Sequence, residues 1–473
     1  MDLSEFLGTP YSEIHNLPVE LLDTSLAEQQ VSDEKEANKY AEKIWNAGGA
    51  FGYICRSCGL FHAGDKRVTR IMILSFVSTY CLNSYGMHIN VSGDAGTGKS
   101  HCATNVAGHL PVAKVIKGRM SDKAIFHHKF EPGCIYILDD QSPTEDFEEV
   151  IKESTTEFHE ATIYRSVKNG APVEHLIQPE SLFWIVKAEQ VGDEQTQDRM
   201  FNLHTDNSDE QLDAIKESII EATIDPSKKA DITSKLISRR IWTHVPRAYV
   251  SIPYARHIKN EERPDARNLN LFLDLIMTSA LIHAPLRKRG EDINGMPNII
   301  ASIHDFTIAA RLMNPLLNNI GGSQKNKIDK NGQKILDWLE ENYPEIVSDP
   351  IPFSTIRDAL GFKPPVMTRA TNGRDDRGTY KLDDRCPAVE IVTMNTHADN
   401  GTGTYTGKGI RWNPYVYKEW SGKGGLFVLD LPDDWERENP TRTELTELEE
   451  IKADDEEELA RIEHEKEKQK HKK

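Results

Sequence analysis

The chain has 473 residues, with 57 Lys+Arg against 75 Asp+Glu for a formal net charge of -18 and 38% hydrophobic residues, and its mean hydropathy is -0.55. This composition excludes disorder throughout, and the longest apolar run, 71–82, is broken by Ser75, Ser78 and Thr79, far short of the ~20 residues that cross a bilayer. The acidic balance excludes a broad basic coat for nucleic acid, so any such contact is expected to be local.

The length allows about three domains. MDLSEFLGTP carries neither a basic leader nor an apolar core of signal-peptide length, and the six cysteines are irregularly spaced, so a cytoplasmic chain in a reducing compartment is expected. Residues 1–64 are polar and acidic and read as an accessory region, with a helix over 32–47 and then a Gly- and Cys-bearing turn, GGAFGYICRSCG. Over 65–206 the strand-like runs HINVSG, VAKVIKG, CIYILDD, LFWIVKA and MFNLHT alternate with helical patterns, which predicts an α/β core with a mostly parallel sheet. Residues 207–320 read as a helical lid, with the strongest periodicity over 268–286. GGSQKNKIDKNGQ, lacking periodicity, marks a boundary. Two short helices and a Thr-, Tyr- and Val-rich hairpin over 334–420 suggest a winged helix, and 441–473 is a charged tail expected to be a solvated helix or disordered.

The strongest motif is Gly93-Asp94-Ala95-Gly96-Thr97-Gly98-Lys99-Ser100, a complete G-x-x-x-x-G-K-[ST] between the strand HINVS and the helical run HCATNVAGHL. Its glycines would let backbone N–H groups surround phosphates at a helix N-terminus, with Lys99 expected to reach the β/γ phosphates and the Ser100 hydroxyl to hold Mg²⁺. ATP with Mg²⁺ is therefore the expected cofactor pair. CIYILDD supplies the acids at the end of a second buried strand: Asp139 for the Mg²⁺ shell and Asp140 to orient and deprotonate the attacking water.

Three further features carry a family resemblance. ATIYRSVKNGAPVEHLIQP reads as two short strands, 162–167 and 172–177, around Lys168-Asn169-Gly170, and Asn-Gly is a strong hairpin signal. Arg199 follows EQTQD and precedes the strand 200–203, and Arg267 opens a long amphipathic helix. Together with the P-loop these resemble the AAA+ P-loop ATPases of the pre-sensor-1 β-hairpin branch, such as the minichromosome-maintenance and viral superfamily 3 helicases. The resemblance covers about 65–290. It implies an AAA+ core with a helical lid, a hairpin lysine at Lys168 facing DNA with Arg165 as helper, an arginine finger at Arg199 and a sensor-2 arginine at Arg267. Plainer readings stand beside these: a solvent hairpin, a surface ion pair and a helix-start charge. Sensor 1, usually Asn, Ser or Thr after the fourth strand, is poorly matched, and Lys187 is the positional candidate.

Cys55 and Cys58 have zinc-knuckle spacing without a second ligand pair. His62 with His127 or His128 could complete four ligands, but two plain thiols is the stronger reading. Basic positions Arg357, Lys363, Arg369, Arg374 and Arg377 could meet DNA, with Asp358, Asp375 and Asp376 diluting their field. The leading functional expectation is a homo-oligomeric, hexameric ATPase that translocates on single-stranded DNA as a replicative helicase of a mobile element or virus, with replication partners meeting the winged helix or tail and no membrane association. Alternatives are an initiator or loader, and a nucleotide-gated switch or scaffold with slow hydrolysis.

Overall fold

Apolar strands that lie side by side in a parallel sheet must bury both faces, and the central strands of this chain do so. Among the described residues three helices come first: α1 (Glu34–Asn46), α2 (Ala50–Gly59) and α3 (Lys66–Val77). They are followed by β1 (His88–Ser92), α4 (Lys99–Gly108), β2 (Val115–Lys117), β3 (Ile135–Asp139), α5 (Glu145–Thr156), a hairpin of β4 (Thr162–Lys168) and β5 (Ala171–Ile177), then β6 (Leu182–Val186) and β7 (Met200–His204). The computed structural model describes residues 34–93, 96–117, 130–140, 145–168, 171–187, 196, 199–206, 208–225, 233–260, 266–317, 328, 330–347, 349–372, 382–397, 404–417, 427–432, 435, 450, 451, 453 and 454.

Five strands pair all in parallel in the order β2-β3-β6-β1-β7, the mostly parallel α/β core expected from the alternating pattern. Side chains two apart on a strand share a face, and two different cores result. Ile135, Ile137, Leu182, Trp184 and Val186 join the large cluster that contains α3 and α4. Tyr136, Leu138, Phe183 and Ile185 join a smaller one with Val150 and Ile151 of α5. Trp184, fully buried, donates its indole N–H to Ser75 Oγ at 3.0 Å, so this large core side chain leaves no orphaned donor.

The expected turn at GGAFGYICRSCG is largely helix. The reversal is confined to Gly48, at φ +74, and AFGYICRSCG forms α2 because Phe51, Tyr53, Ile54 and Cys58 all become buried. Packing outweighs two glycines that cost roughly 1 kcal/mol each in a helix.

Beyond the sheet come α6 (Asp209–Ile224), α7 (Thr233–Ile241), β8 (Tyr249–Ser251), β9 (Ile258–Asn260), α8 (Ala266–Ile282), β10 (Lys288–Arg289), β11 (Asn298–Ile300) and α9 (Ile303–Leu317). This stretch is mixed rather than helical, with β10, β11 and β8 forming a three-stranded sheet. A separate core, including Ile335, Leu339, Ile356, Ile410 and Trp412, gathers α10 (Lys330–Asn342), β12 (Ile351–Pro352), α11 (Phe353–Leu360), α12 (Pro364–Asn372), α13 (Leu382–Arg385), β13 (Val389–His397) and β14 (Thr404–Trp412). Its strands run β12-β14-β13, antiparallel.

The chain then returns to the first core. β15 (Phe427–Leu429) pairs with β9, and the Phe427 ring lies flat on Phe272, centroids 4.0 Å apart. Part of the charged tail also docks, against the expectation of full solvation: Ile451 is 2% exposed within the large core, and Asp454 reaches Lys66 Nζ at 2.6 Å and Arg70. Glu450 also meets Arg56 at 3.3 Å, so acids on both sides of Ile451 face basic side chains. Among the described residues no helix is long and apolar enough to cross a membrane.

Candidate nucleotide site

The loop after β1 turns on glycine conformations that other residues rarely adopt. Gly93 stands at φ +156 and Gly98 at +85, and a Cβ on Gly93 would lie 2.4 Å from Thr205 Oγ1. Gly98 caps α4, which begins at Lys99. Lys99 is buried and its stem comes back over the loop, with Cδ 3.4 Å from where a Gly93 Cβ would stand. A positive helix terminus with a lysine folded toward it is an anion cradle. Gly96 and Thr97 complete the described part of the motif. Asp94 and Ala95 lie outside the described residues.

Ser100, one residue into α4, donates its hydroxyl to Asp139 Oδ1 at 2.7 Å. Two oxygen donors side by side at the phosphate cradle suit a hard cation such as Mg²⁺. Asp140 follows, exposed and at φ +51, a left-handed conformation that Asp tolerates and that concentrates at functional sites. Its amide donates to Val186 O at 3.0 Å.

The strand order sets what lies between loop and acids. β6 separates β1 from β3, and Val186 pairs with Val91 on one side and Asp139 on the other. Lys187 continues from it, its N–H donating to Val91 O at 3.0 Å. The half-buried Lys187 thus emerges between the P-loop strand and the acidic strand.

Other contacts around the loop were not foreseen from the motif. Thr97 and Thr205 share a 2.7 Å hydrogen bond, which ties the loop to the exit of β7. The helix beside Gly98 is α6, through Ile215, with His62 on the same glycine, and Gln211 of α6 donates to Ala63 O at 2.6 Å. By contrast α8, the expected lid helix opened by Arg267, is anchored elsewhere. Its Asp274 accepts from Tyr85 N at 3.2 Å and its Thr278 hydroxyl lies 3.6 Å from Met87 Sδ, both ahead of β1 and so at the opposite end of that strand from the P-loop. Only the three-dimensional path of the chain distinguishes the two helices, since both are amphipathic.

Arg199 also lies away from its own P-loop. Met200 pairs with His88, the first residue of β1, and the five residues of that strand span about 16 Å before Gly93. The hairpin forms in the register that ends with Lys168 opposite Ala171. Asn169 and Gly170 lie outside the described residues. Arg165 is exposed and pairs with Glu174 at 2.9 Å.

The Cys55/Cys58 pair gathers no metal set among the described residues. Cys58 Sγ lies 3.4 Å from His109 Nδ1, and burial raises its thiol pKa above the usual range while lowering that of His109 to about 4. His127 and His128 lie outside the described residues, as do Arg374, Asp375, Asp376 and Arg377. Arg357 is engaged by its neighbour Asp358 at 2.7 Å.

Residues 33–247 match the family model described as the MTBMA_p00010 P-loop domain. The α/β unit is a P-loop domain. An uncharacterized protein from Methanothermobacter marburgensis is 21% identical over 354 residues, 68% of this chain and 43% of that protein, so this chain matches less than half the length of that relative. Among solved structures, a full-length MCM homolog from Methanopyrus kandleri is similar with a TM-score of 0.34 and 12% identity, over 62% of this chain and 61% of that one.

Proposed function

We propose that the chain is an ATPase of the AAA+ helicase type, acting as a ring that translocates on single-stranded DNA. The observation that carries the nucleotide chemistry is Ser100 Oγ set 2.7 Å from Asp139 Oδ1 beside the P-loop. Ser100 and Asp139 would hold Mg²⁺, which when bound neutralises charge on the β and γ phosphates. Lys99 neutralises the same oxygens from the start of α4, and Asp140 aligns a water and takes its proton as it attacks.

Arg199, at the far end of β7 from its own P-loop, suits a finger that serves a neighbouring subunit, where it stabilises charge on the transferred group. Ring assembly, hexameric in this reading, and hydrolysis are then linked, and Lys168 at the end of the hairpin grips the DNA backbone in the channel. The 330–417 unit serves as a winged helix that meets DNA or replication proteins. Arg267 stands apart from its own P-loop, because α8 is anchored ahead of β1.

The test is ATPase rate with and without single-stranded DNA, for wild type and for an equimolar mixture of Lys99→Ala and Arg199→Ala chains. DNA stimulation, with activity regained only on mixing, is the expected result. A second reading, a nucleotide-gated switch or loader with slow turnover, is favoured by the short Asp140 carboxylate and by Lys187 where a polar neutral residue is usual. It becomes the better account if DNA changes nothing and Arg199→Ala alone is fully active.

A further inference from the structure

The turn 60–65 brings His62 and Asp65 against α4, where they meet Cys102, and all three side chains are buried. One donor atom from each lies within 4.8 Å of the other two, so an imidazole nitrogen, a carboxylate oxygen and a sulfur share one small volume. Each is also held from behind. His62 Nδ1 is 2.9 Å from His101 Nδ1, which leaves Nε2 toward Asp65 Oδ2, also at 2.9 Å. Asp65 Oδ1 accepts the Asp206 N–H at 2.9 Å, and Cys102 Sγ lies 3.7 Å from Thr69 Oγ1. Ligands oriented by outer partners in this way are a hallmark of metal centres.

We propose that His62 Nε2, an Asp65 carboxylate oxygen and Cys102 Sγ form a zinc site, separate from the Mg²⁺ position at Ser100 and Asp139. A mixed nitrogen, oxygen and sulfur set suits Zn²⁺, whereas Mg²⁺ and Ca²⁺ prefer oxygen alone. Zinc replaces the hydrogen bond between His62 and Asp65. The Cys102 thiol and the hydrogen bond that zinc replaces each give up a proton to solvent on binding, and His62 is left with its proton on Nδ1, which it donates to His101. Three protein ligands leave a fourth position for water.

The location gives the site a consequence. The Cys102 N–H donates to Gly98 O at 2.8 Å, and His62 Cε1 stands 3.2 Å from where a Gly98 Cβ would be. Bound zinc therefore pins the 60–65 turn to the helix that Lys99 opens. This holds whether or not the chain moves on DNA.

The experiment uses the full chain, reduced and stripped by chelator, titrated with Co²⁺ as a visible substitute for zinc in excess Mg²⁺, so that the P-loop position is already filled. One equivalent of Co²⁺ per chain is expected, with a sulfur-to-cobalt charge-transfer band that Zn²⁺ displaces. Cys102→Ser should lose that band, His62→Ala should weaken uptake at least tenfold, and Cys58→Ser should retain both, which separates this site from the Cys55/Cys58 pair. Thermal melts of the stripped proteins identify any variant that has failed to fold, and Asp65→Asn then serves as the second ligand variant. No cobalt uptake by folded wild type, or a sulfur band that survives in Cys102→Ser, overturns the proposal.

Discussion

Replacing Gly93 by Ala perturbs the phosphate loop at one atom whose surroundings are known. The new Cβ lands 2.4 Å from Thr205 Oγ1, so Thr205 must move and its 2.7 Å bond to Thr97 is lost, at about 1 kcal/mol. A non-glycine residue at φ +156 adds strain of about 1–2 kcal/mol. If the loop yields rather than the whole domain, about 2–3 kcal/mol appears in nucleotide binding, roughly 30- to 150-fold in Kd. Titration with a fluorescent ATP analogue in Mg²⁺ measures this, with circular dichroism melts to verify folding. Thr205→Ala removes the clashing oxygen, so the Gly93→Ala/Thr205→Ala double variant should bind about fivefold better than the two single losses combined. Binding by Gly93→Ala within threefold of wild type, or strict additivity in the double variant, would refute the assignment of Thr205 as the loop's brace.

Asp140→Asn should retain nucleotide binding and lose hydrolysis by about 100-fold or more, and a normal single-turnover rate would show that another group activates the water. Phe427→Ala removes a ring that is 2% exposed and stacked on Phe272. It should lower unfolding stability by about 3–5 kcal/mol in a denaturant titration, whereas a loss under 1 kcal/mol would mean that β15 is not part of the first core. Asp274 bears on pH: burial raises its carboxyl from 3.8 to about 7, against the favourable Ser84 and Tyr85 hydrogen bonds. The folded state then binds the extra proton between those values, so the group removes stability as pH rises through that window. Asp274→Asn abolishes that loss, so the stability of the variant minus that of wild type should climb from pH 4 to pH 7 and level off above. A flat difference would show that the carboxyl ionises normally in the fold.

The phosphate loop and the parallel sheet could be read from residues alone because their signals are local. Six neighbouring residue types from Gly93 to Ser100 dictate a tight turn into a helix, and apolar runs such as IYILD and LFWIV can only be satisfied with both faces covered. Asp139 and Asp140 were legible for the same reason, as acids at the end of such a run. The brace from Thr205 was not, because Thr97 and Thr205 are 108 residues apart and meet only once β7 lies beside β1. Choosing the helix against Gly98 likewise needed the tertiary path: α6 and α8 both carry helical periodicity, and only contacts at Ile215 and Asp274 show which end of the sheet each one meets. In the sequence Cys55 and Cys58 have zinc-knuckle spacing, with His62 as one possible further ligand and two plain thiols as the stronger reading. Packing α2 into the core turned Cys58 toward His109 and left His62 facing Asp65 and Cys102, a grouping that no spacing in the chain announces.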